Sequence, residues 1–469
     1  MIRKAMMCVV AAAIAWGAVA AVAEDGKKTA EDQVGQAIKF MRDVDLKAIY
    51  KLPPKQREAE AIKLDEAWQT LLDNGKTSIE KLKEEFKRME AAKEKNDFFA
   101  LGASVLIWEI AKADEAELIA KLWQGADLSV NYNYVFSTAM QAAVTRDPKV
   151  LPILKAVLAD RKGTFPVPQH AMRLRWPETI EFIWGVYGYD GLAELHKVLK
   201  TSQDPAELVS AMTLLTGSYY LPALEDIRKL TQSKDQAVRD CAYEQLGRYS
   251  HPDDRKRLVE AAKNGNRAAF EGLVVASDPA AMDVIDKYLD SKDEKTQDLV
   301  LHACYAVPCR KGLDLVLAWS ADPKKSGHDA RKLEFVRDGI FGAIQSSAEA
   351  YQKLDDAGKD KLFAKLPARR VLSYDPVAKK ISHDQFVEAV KYWQSKKRIE
   401  HEKYKDVTEE QAFAVATPDD IKMLVDLKAR IHERLSDESL YEIRDINKLI
   451  WNILQRKFQQ ERQKGSVGL

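Results

Sequence analysis

Four short apolar patterns recur between residues 204 and 320, and they constrain the fold more than any other feature of this 469-residue chain. Each pattern places three small or apolar residues three or four positions apart, so that they share one face of a helix. The triads are Leu208, Ala211, Leu215; Val238, Ala242, Leu246; Ala268, Gly272, Ala276; and Leu299, Ala303, Val307. Their small middle residues lie 31, 30 and 31 positions apart. Small residues let neighbouring helices approach closely, so this period predicts a stack of helices.

A second amphipathic helix is expected after each of these first helices. Its apolar positions are Leu221, Leu224, Ile227 and Leu230; then Leu258 and Ala262; then Met282, Ile285 and Leu289; then Leu313, Val316 and Leu317. Pro222, Pro252 and Pro279 stand at or just before these helices, where a missing amide hydrogen removes no helical bond. The unit is therefore a helix pair that buries its apolar face only when such pairs stack.

The segment Asp235–Gly247 resembles the first helix of a HEAT-type repeat. It reads Asp-Gln-Ala-Val-Arg-Asp-Cys-Ala-Tyr-Glu-Gln-Leu-Gly, and that family favours Asp, Val-Arg, Ala and Leu-Gly at these offsets. Asp204-Pro205 and Ser277-Asp278-Pro279 match the pattern in part. The resemblance implies an α-solenoid with a role in protein interaction, and it transfers no catalytic residue.

The predicted fold class is therefore all-α: an α-solenoid of HEAT-like helix pairs with helical N- and C-terminal flanks. The array is expected over residues 97–321, with an N-terminal helical cap at 24–96 and a C-terminal helical region at 322–469. The low count of 21 Gly and 16 Pro also argues against an all-β fold. Capping boxes are predicted at Thr77–Glu80, Ser382–Gln385 and Thr408–Gln411.

The last helix carries Ile443, Ile446, Ile450 and Ile453, whose alternating spacing is that of a coiled-coil seam. Such a short seam favours a helical hairpin within the chain, and a dimer through the C-terminal helices is the alternative.

The first 23 residues have the plan of a secretory signal peptide. Arg3 and Lys4 precede an apolar run, and Ala21-Val22-Ala23 forms a small-x-small cleavage site before Glu24. A retained membrane anchor is the alternative. Cleavage leaves 71 basic and 72 acidic residues, so no bulk charge attracts nucleic acid. We expect an exported protein, periplasmic or secreted, with no membrane span after cleavage.

Two short motifs near residue 304 contain residue types that serve in catalysis or metal binding. Cys304 and Arg310 have the spacing of a cysteine-phosphatase loop, but the residues between them include no glycine. His302, Cys304 and Cys309 lack the paired spacing of a zinc site. His328-Asp329 and His383-Asp384 resemble a phosphohydrolase dipeptide without its partners. We therefore predict no catalytic residue, no cofactor and no metal. For a disulfide between Cys304 and Cys309 the sequence gives no prediction either way.

The segment 161–176 is the main irregularity, because Pro166 and Pro168 interrupt the helical pattern. Long loops in compact arrays are often functional. Its basic and aromatic residues are the predicted ligand-binding set, against the alternative of a solvated linker. The set is Arg161, Lys162, His170, Arg173, Arg175 and Trp176.

These patterns predict a protein that binds or scaffolds a protein or polymer partner. One alternative is an envelope hydrolase or lyase with a site near 161–176 or 302–310, although an enzyme is less favoured than a binding protein. The other is a structural envelope protein that assembles through its C-terminal helices.

Overall fold

A computed structural model describes residues 29–45, 48–49, 51–158, 164–166, 173–175, 183–322, 328–364, 366, 381–396, 407–433 and 437–465. These residues are overwhelmingly helical, which confirms the all-α prediction. Within them the strands are β1 (Thr164–Pro166) and β2 (Arg173–Arg175), which form an antiparallel hairpin. This hairpin was not predicted from the sequence. The proposed signal peptide lies outside the described residues.

The chain divides into two compact units, Met1–Gly188 and Tyr189–Leu469. This division falls inside the predicted array, and the domain boundaries at 23, 96 and 321 remain predictions. The helices of the first unit are α1 (Ala30–Asp43), α2 (Pro54–Asp73), α3 (Gly75–Ala92), α4 (Asp97–Ala111), α5 (Ala116–Gln124), α6 (Tyr132–Thr145) and α7 (Leu151–Ala156). Residues 183–187 are also helical.

Helix α4 is the centre of the first unit. Every residue from Leu101 to Trp108 is buried, and α4 packs against α2, α3, α5 and α6. Two tryptophans on this core satisfy their indole N–H groups. Trp123 donates to Ser104 Oγ at 3.0 Å, and Trp108 donates to Gln141 Oε1 at 3.0 Å. Such partners let large rings be buried without an unsatisfied donor.

The second unit contains helices that alternate between the predicted first and second positions. The first helices are α9 (Pro205–Gly217), α11 (Gln236–Tyr249), α13 (Arg267–Val275) and α15 (Glu294–Ala306), preceded by α8 (Tyr189–Thr201). The second helices are α10 (Leu224–Leu230), α12 (Asp254–Lys263), α14 (Ala280–Val284) and α16 (Arg310–Ala321). Three further helices follow: α17 (Ala330–Ile344), α18 (Ala348–Gln352) and α19 (Asp356–Phe363).

The first helices pack against one another in chain order. Helix α11 contacts both α9 and α13, and α13 contacts α15. Ala211, Ala242, Gly272 and Ala303 are all buried, one on each of these helices. Gly247 on α11 faces the Gly272 backbone so closely that a Cβ at 247 would lie 2.2 Å from the Gly272 carbonyl oxygen. A pair of glycines therefore stands at the contact between α11 and α13, and the repeat arrangement indicated by the period stays a prediction.

The C-terminal helices belong to the same unit. They are α20 (His383–Lys396), α21 (Glu409–Val415), α22 (Ile421–His432) and α23 (Asp437–Gly465). The seam residues Ile443, Ile446, Ile450 and Ile453 are buried, and α23 packs against α21 and α22. The seam is therefore occupied inside the chain, as in the hairpin prediction, and is not available for the dimer that was its alternative.

Two of the three predicted capping boxes are confirmed. Ser382 and Gln385 exchange side-chain-to-backbone bonds of 2.8 and 3.1 Å, and Thr408 and Gln411 do the same. The box at Thr77 is wrong, because α3 already begins at Gly75. A helix of 18 residues tolerates Thr77 in its first turn, since packing of its apolar face outweighs local capping preference.

Candidate functional site

Most of the ligand-binding set predicted in the segment 161–176 lies outside the described residues. Arg161, Lys162, His170 and Trp176 belong to that part. The backbone of β2 includes the other two residues, with Arg173 opposite Pro166 and Arg175 opposite Thr164. The predicted set therefore remains a prediction.

The Cys304 thiol is poorly suited to act as a nucleophile. Cys304 is fully buried in α15, and a Cβ at Gly312 of α16 would lie only 3.4 Å from the Cys304 Cα. Burial raises the pKa of this thiol to about 12. Because the reactive form is the thiolate, a thiol with this pKa remains protonated at neutral pH. Cys304 and Cys309 are both free thiols.

Arg310 is directed toward carboxylates rather than toward a phosphate loop. Its guanidinium pairs with Asp356 on α19, with Asp360 at 3.4 Å and with Asp314 at 3.5 Å. Cys309 caps α16, because its sulfur accepts a hydrogen bond from the Gly312 amide at 3.4 Å. Cys304 and Arg310 are thus accounted for by helix packing and surface ion pairs, and the alternative of a catalytic site at 302–310 stays a prediction.

The two His-Asp dipeptides also have structural roles. Asp329 caps α17 by accepting from the amides of Arg331 and Lys332 at 2.9 and 3.0 Å. His383 Nε2 lies 3.0 Å from Asp420 Oδ2.

Within the part of the chain that the structure describes, three or more His, Cys, Asp or Glu side chains nowhere converge as a metal site would require. Nor is any helix there long and apolar enough to cross a membrane.

A polar cleft lies where three first helices end. Helices α9, α11 and α13 are each followed by a left-handed residue, namely Tyr219 (φ 50°), Ser250 (φ 52°) and Ser277 (φ 49°). A left-handed residue commonly ends a helix, because its amide can bond to carbonyls in the last turn. These three residues line one cleft of about 420 Å³, which we call the turn-row cleft.

Helix α23 forms the opposite wall of the turn-row cleft. Arg444, Asn447, Lys448 and Trp451 line it, at spacings of three or four that place them on one face of the helix. They alternate with the buried isoleucine seam, which packs within the C-terminal region. One face of α23 therefore packs into the core, and another face lines the cleft.

Side chains and one backbone carbonyl hold α23 and α22 beside the first helices. Gln455 Nε2 donates to the Tyr249 carbonyl at 3.2 Å, and the Phe458 and His251 rings meet at 4.4 Å between centroids. Lys428 Nζ, on α22, donates both to Ser218 Oγ and to Asn447 Oδ1, each at 3.2 Å. The oxygen of the Asn447 side-chain amide thus accepts a hydrogen bond from Lys428.

The cleft has basic residues on both walls and hydroxyl groups on the wall formed by the first helices. Among the described residues that line it, Arg248, Arg444 and Lys448 are cations and none is a carboxylate. Arg248 pairs with Glu244 just outside the cleft at 2.8 Å. Burial raises the pKa of the Tyr219 phenol, against the opposing effect of Arg248, so Tyr219 is neutral and offers a hydroxyl group. The array wall adds the hydroxyls of Ser250 and Ser277.

The turn-row cleft was not predicted from the sequence. The stripe of Arg444, Lys448 and Trp451 is visible in the sequence beside the isoleucine seam, and its helical spacing was the available signal. The wall formed by the ends of α9, α11 and α13 could not be predicted in this way. Its residues come from three separate segments between residues 216 and 277, which meet only because the helices pack together.

Comparisons with known proteins add no family assignment. No protein-family model matches the chain. No curated protein matches it significantly.

Proposed function

We propose that this protein is an exported α-solenoid that binds or scaffolds a protein or polymer partner along its helix pairs. The observation that carries the proposal is the packing of α9, α11, α13 and α15 in chain order, with a small buried residue on each helix. Stacked pairs of this kind present extended surfaces, which solenoid proteins use for binding. The HEAT-like segment Asp235–Gly247 comprises the N-cap and most of α11, the second first helix of this series.

Ion pairs join successive second helices or the residues that flank them, and these pairs support one continuous surface. We call these pairs the second-helix ladder: Arg228 to Asp254 at 2.8 Å, Arg255 to Asp278 at 2.9 Å and Lys311 to Asp286 at 2.7 Å. His196 on α8 extends it to Asp226 on α10 at 2.8 Å. Alternating charges along such a surface favour a protein partner over nucleic acid, which calls for a basic stripe.

Site-specific photo-crosslinking in the producing cells tests the binding proposal. A photoreactive residue replaces Lys256 on α12 or Lys287 after α14, both of which are exposed. Lys63 on α2, also exposed, is the control position. We expect the same partner to be crosslinked from positions 256 and 287 and not from position 63. The proposal is overturned if neither position gives an adduct, or if all three give the same adducts.

Export is tested on the same cells. Mature protein purified from the envelope or the medium is expected to begin at Glu24, as measured by intact mass. Full-length protein confined to the cytoplasm would contradict this part of the proposal.

A further inference from the structure

We propose that a groove in the first unit binds a fatty acid, that is, a long alkyl chain that carries one carboxylate. The groove lies between residues 83–90 of α3 and 118–122 of α5, where α4 begins, and we call it the α3–α5 groove. Its volume of about 440 Å³ is within the usual range of small-molecule sites. None of the described residues that line it belongs to the second-helix ladder, which lies in the second unit, so the inference is separate from the partner binding proposed above.

The apolar lining of the α3–α5 groove comes from three helices. Helix α3 supplies Phe86 and Met89, α4 supplies Ala100, and α5 supplies Leu118 and Leu122. Met89 is buried, whereas Phe86, Leu118 and Leu122 are half-buried and keep part of their apolar surface in contact with water. A ligand that covers this surface gains free energy in proportion to the apolar area that both partners remove from water. The groove therefore favours a ligand with an apolar body.

Two ion pairs connect the walls of the α3–α5 groove. Lys83 on α3 pairs with Glu115, the N-cap residue of α5, at 2.6 Å. Lys121 on α5 pairs with Glu90 on α3 at 3.3 Å. A partner helix with its side chains is about 10 Å wide, so it would have to separate both pairs to lie between α3 and α5. An alkyl chain is much thinner and leaves both pairs in place, so this arrangement favours a lipid chain over a helical peptide.

Lys87 is the cation of the groove that matches a carboxylate. Each lining carboxylate is already paired, at 3.3, 2.7 and 3.6 Å respectively: Glu90 with Lys121, Glu94 with Arg88 and Asp97 with Lys95. Among the described residues, the Lys87 side chain has neither an ion pair nor a hydrogen bond. Lys87 also stands four positions after Lys83, a spacing at which like charges are unfavourable on a helix. A single negative group beside Lys87 offsets this repulsion, so the groove selects a fatty acid from among apolar ligands.

Calorimetric titration of the mature chain tests the inference with three matched probes, each kept below the concentration at which it forms micelles. Decanoate has the chain and the carboxylate, butanoate has a short chain, and decylammonium has the long chain with a positive charge. Each buried CH₂ group is worth about fourfold in affinity, so decanoate should bind at least about 100-fold more tightly than butanoate. Decylammonium should bind at least about tenfold more weakly than decanoate, because it loses the charged hydrogen bond to Lys87. Equal affinity for decanoate and either analogue overturns the proposal. So does no binding of decanoate, which would point to a peptide as the occupant.

Charge variants at position 87 assign the binding to this groove. Lys87→Gln is expected to weaken decanoate binding about tenfold, because the carboxylate loses its partner. Lys87→Glu should reverse the preference, so that decylammonium binds more tightly than decanoate. Lys76→Gln, on an exposed position of α3 outside the groove, is the matched control and should bind decanoate like the parent chain. Lys87 is exposed as well, so folding is insensitive to both changes there. If both variants at position 87 bind decanoate like the parent chain, the site is elsewhere and the proposal fails.

Discussion

Asp254 has the least exposed carboxylate of the second-helix ladder, with 2% of its side chain exposed. Arg228 donates to this carboxylate from Nε at 2.8 Å and from Nη2 at 2.9 Å. The same guanidinium also contacts Glu225 and His251. A buried ion pair adds little net stability compared with an apolar pair, but losing one partner leaves the other charge buried and poorly solvated. Forming the ion pairs of the second-helix ladder therefore changes the free energy of folding little, whereas removing one partner of a pair lowers the stability.

Asp254→Asn removes the charge and keeps the shape of the side chain. We expect the free energy of unfolding to fall by about 2–3 kcal/mol, since Arg228 keeps Glu225 but loses its bidentate partner. Urea denaturation followed by circular dichroism measures the change. Asp253→Asn is the adjacent control; its side chain is 78% exposed, so a change below about 0.5 kcal/mol is expected. Equal losses for both variants would show that the ladder contributes no more than surface charges do.

At the scale of helices, the sequence predicted which segments are helical better than it predicted how their ends meet. The first helices begin at short polar residues that accept from the first-turn amides, a signal readable in the sequence. They are Asp204, Asp235, Asn266 and Asp293. Their ends were not predictable, because Tyr219, Ser250 and Ser277 adopt left-handed backbone without being glycine. Beside the first two of these turns, Ser218 accepts from Lys428 and the Tyr249 carbonyl accepts from Gln455, so helices distant in sequence contribute to the surroundings of the turns.

Gly247→Ala separates helix propensity from helix packing. Alanine in an isolated helix is about 1 kcal/mol more favourable than glycine. At position 247, however, the new Cβ would lie 2.3 Å from the Gly272 Cα, and two backbones cannot yield as a flexible side chain does. We expect a loss of about 2–3 kcal/mol in stability by thermal or urea unfolding.

Gly342→Ala in α17 is the control for this prediction, because nothing lies within 4 Å of the added Cβ. It should leave stability unchanged or raise it by up to about 1 kcal/mol. A stabilising effect at position 247 would mean that α11 and α13 do not approach as closely as described.

At the scale of the whole chain, sequence separation is a poor guide to which parts fold together. The C-terminal helices follow the array by more than 60 residues, yet they bond to it at Tyr189, Ser218 and Tyr249. The Tyr189 amide donates to Asp426 Oδ1 at 3.0 Å, which joins the first helix of the second unit to α22. The periodicity of apolar residues predicted helices in both regions, but it carries no information about contacts between residues more than 200 positions apart. The sequence therefore did not predict which helices the C-terminal region packs against.

The truncation of residues 381–469 tests whether these contacts stabilise the second unit. Two compact units predict two thermal transitions in the mature chain, and a separate fragment of residues 24–188 identifies the transition of the first. Truncation removes the partners of Ser218, Tyr249 and His251, so the transition of the second unit should fall by about 5 °C or more. The first unit's transition should not move, because the truncated helices belong to the other unit. An equal fall in both transitions, or a single transition that tracks the truncation, would mean that the two units fold as one.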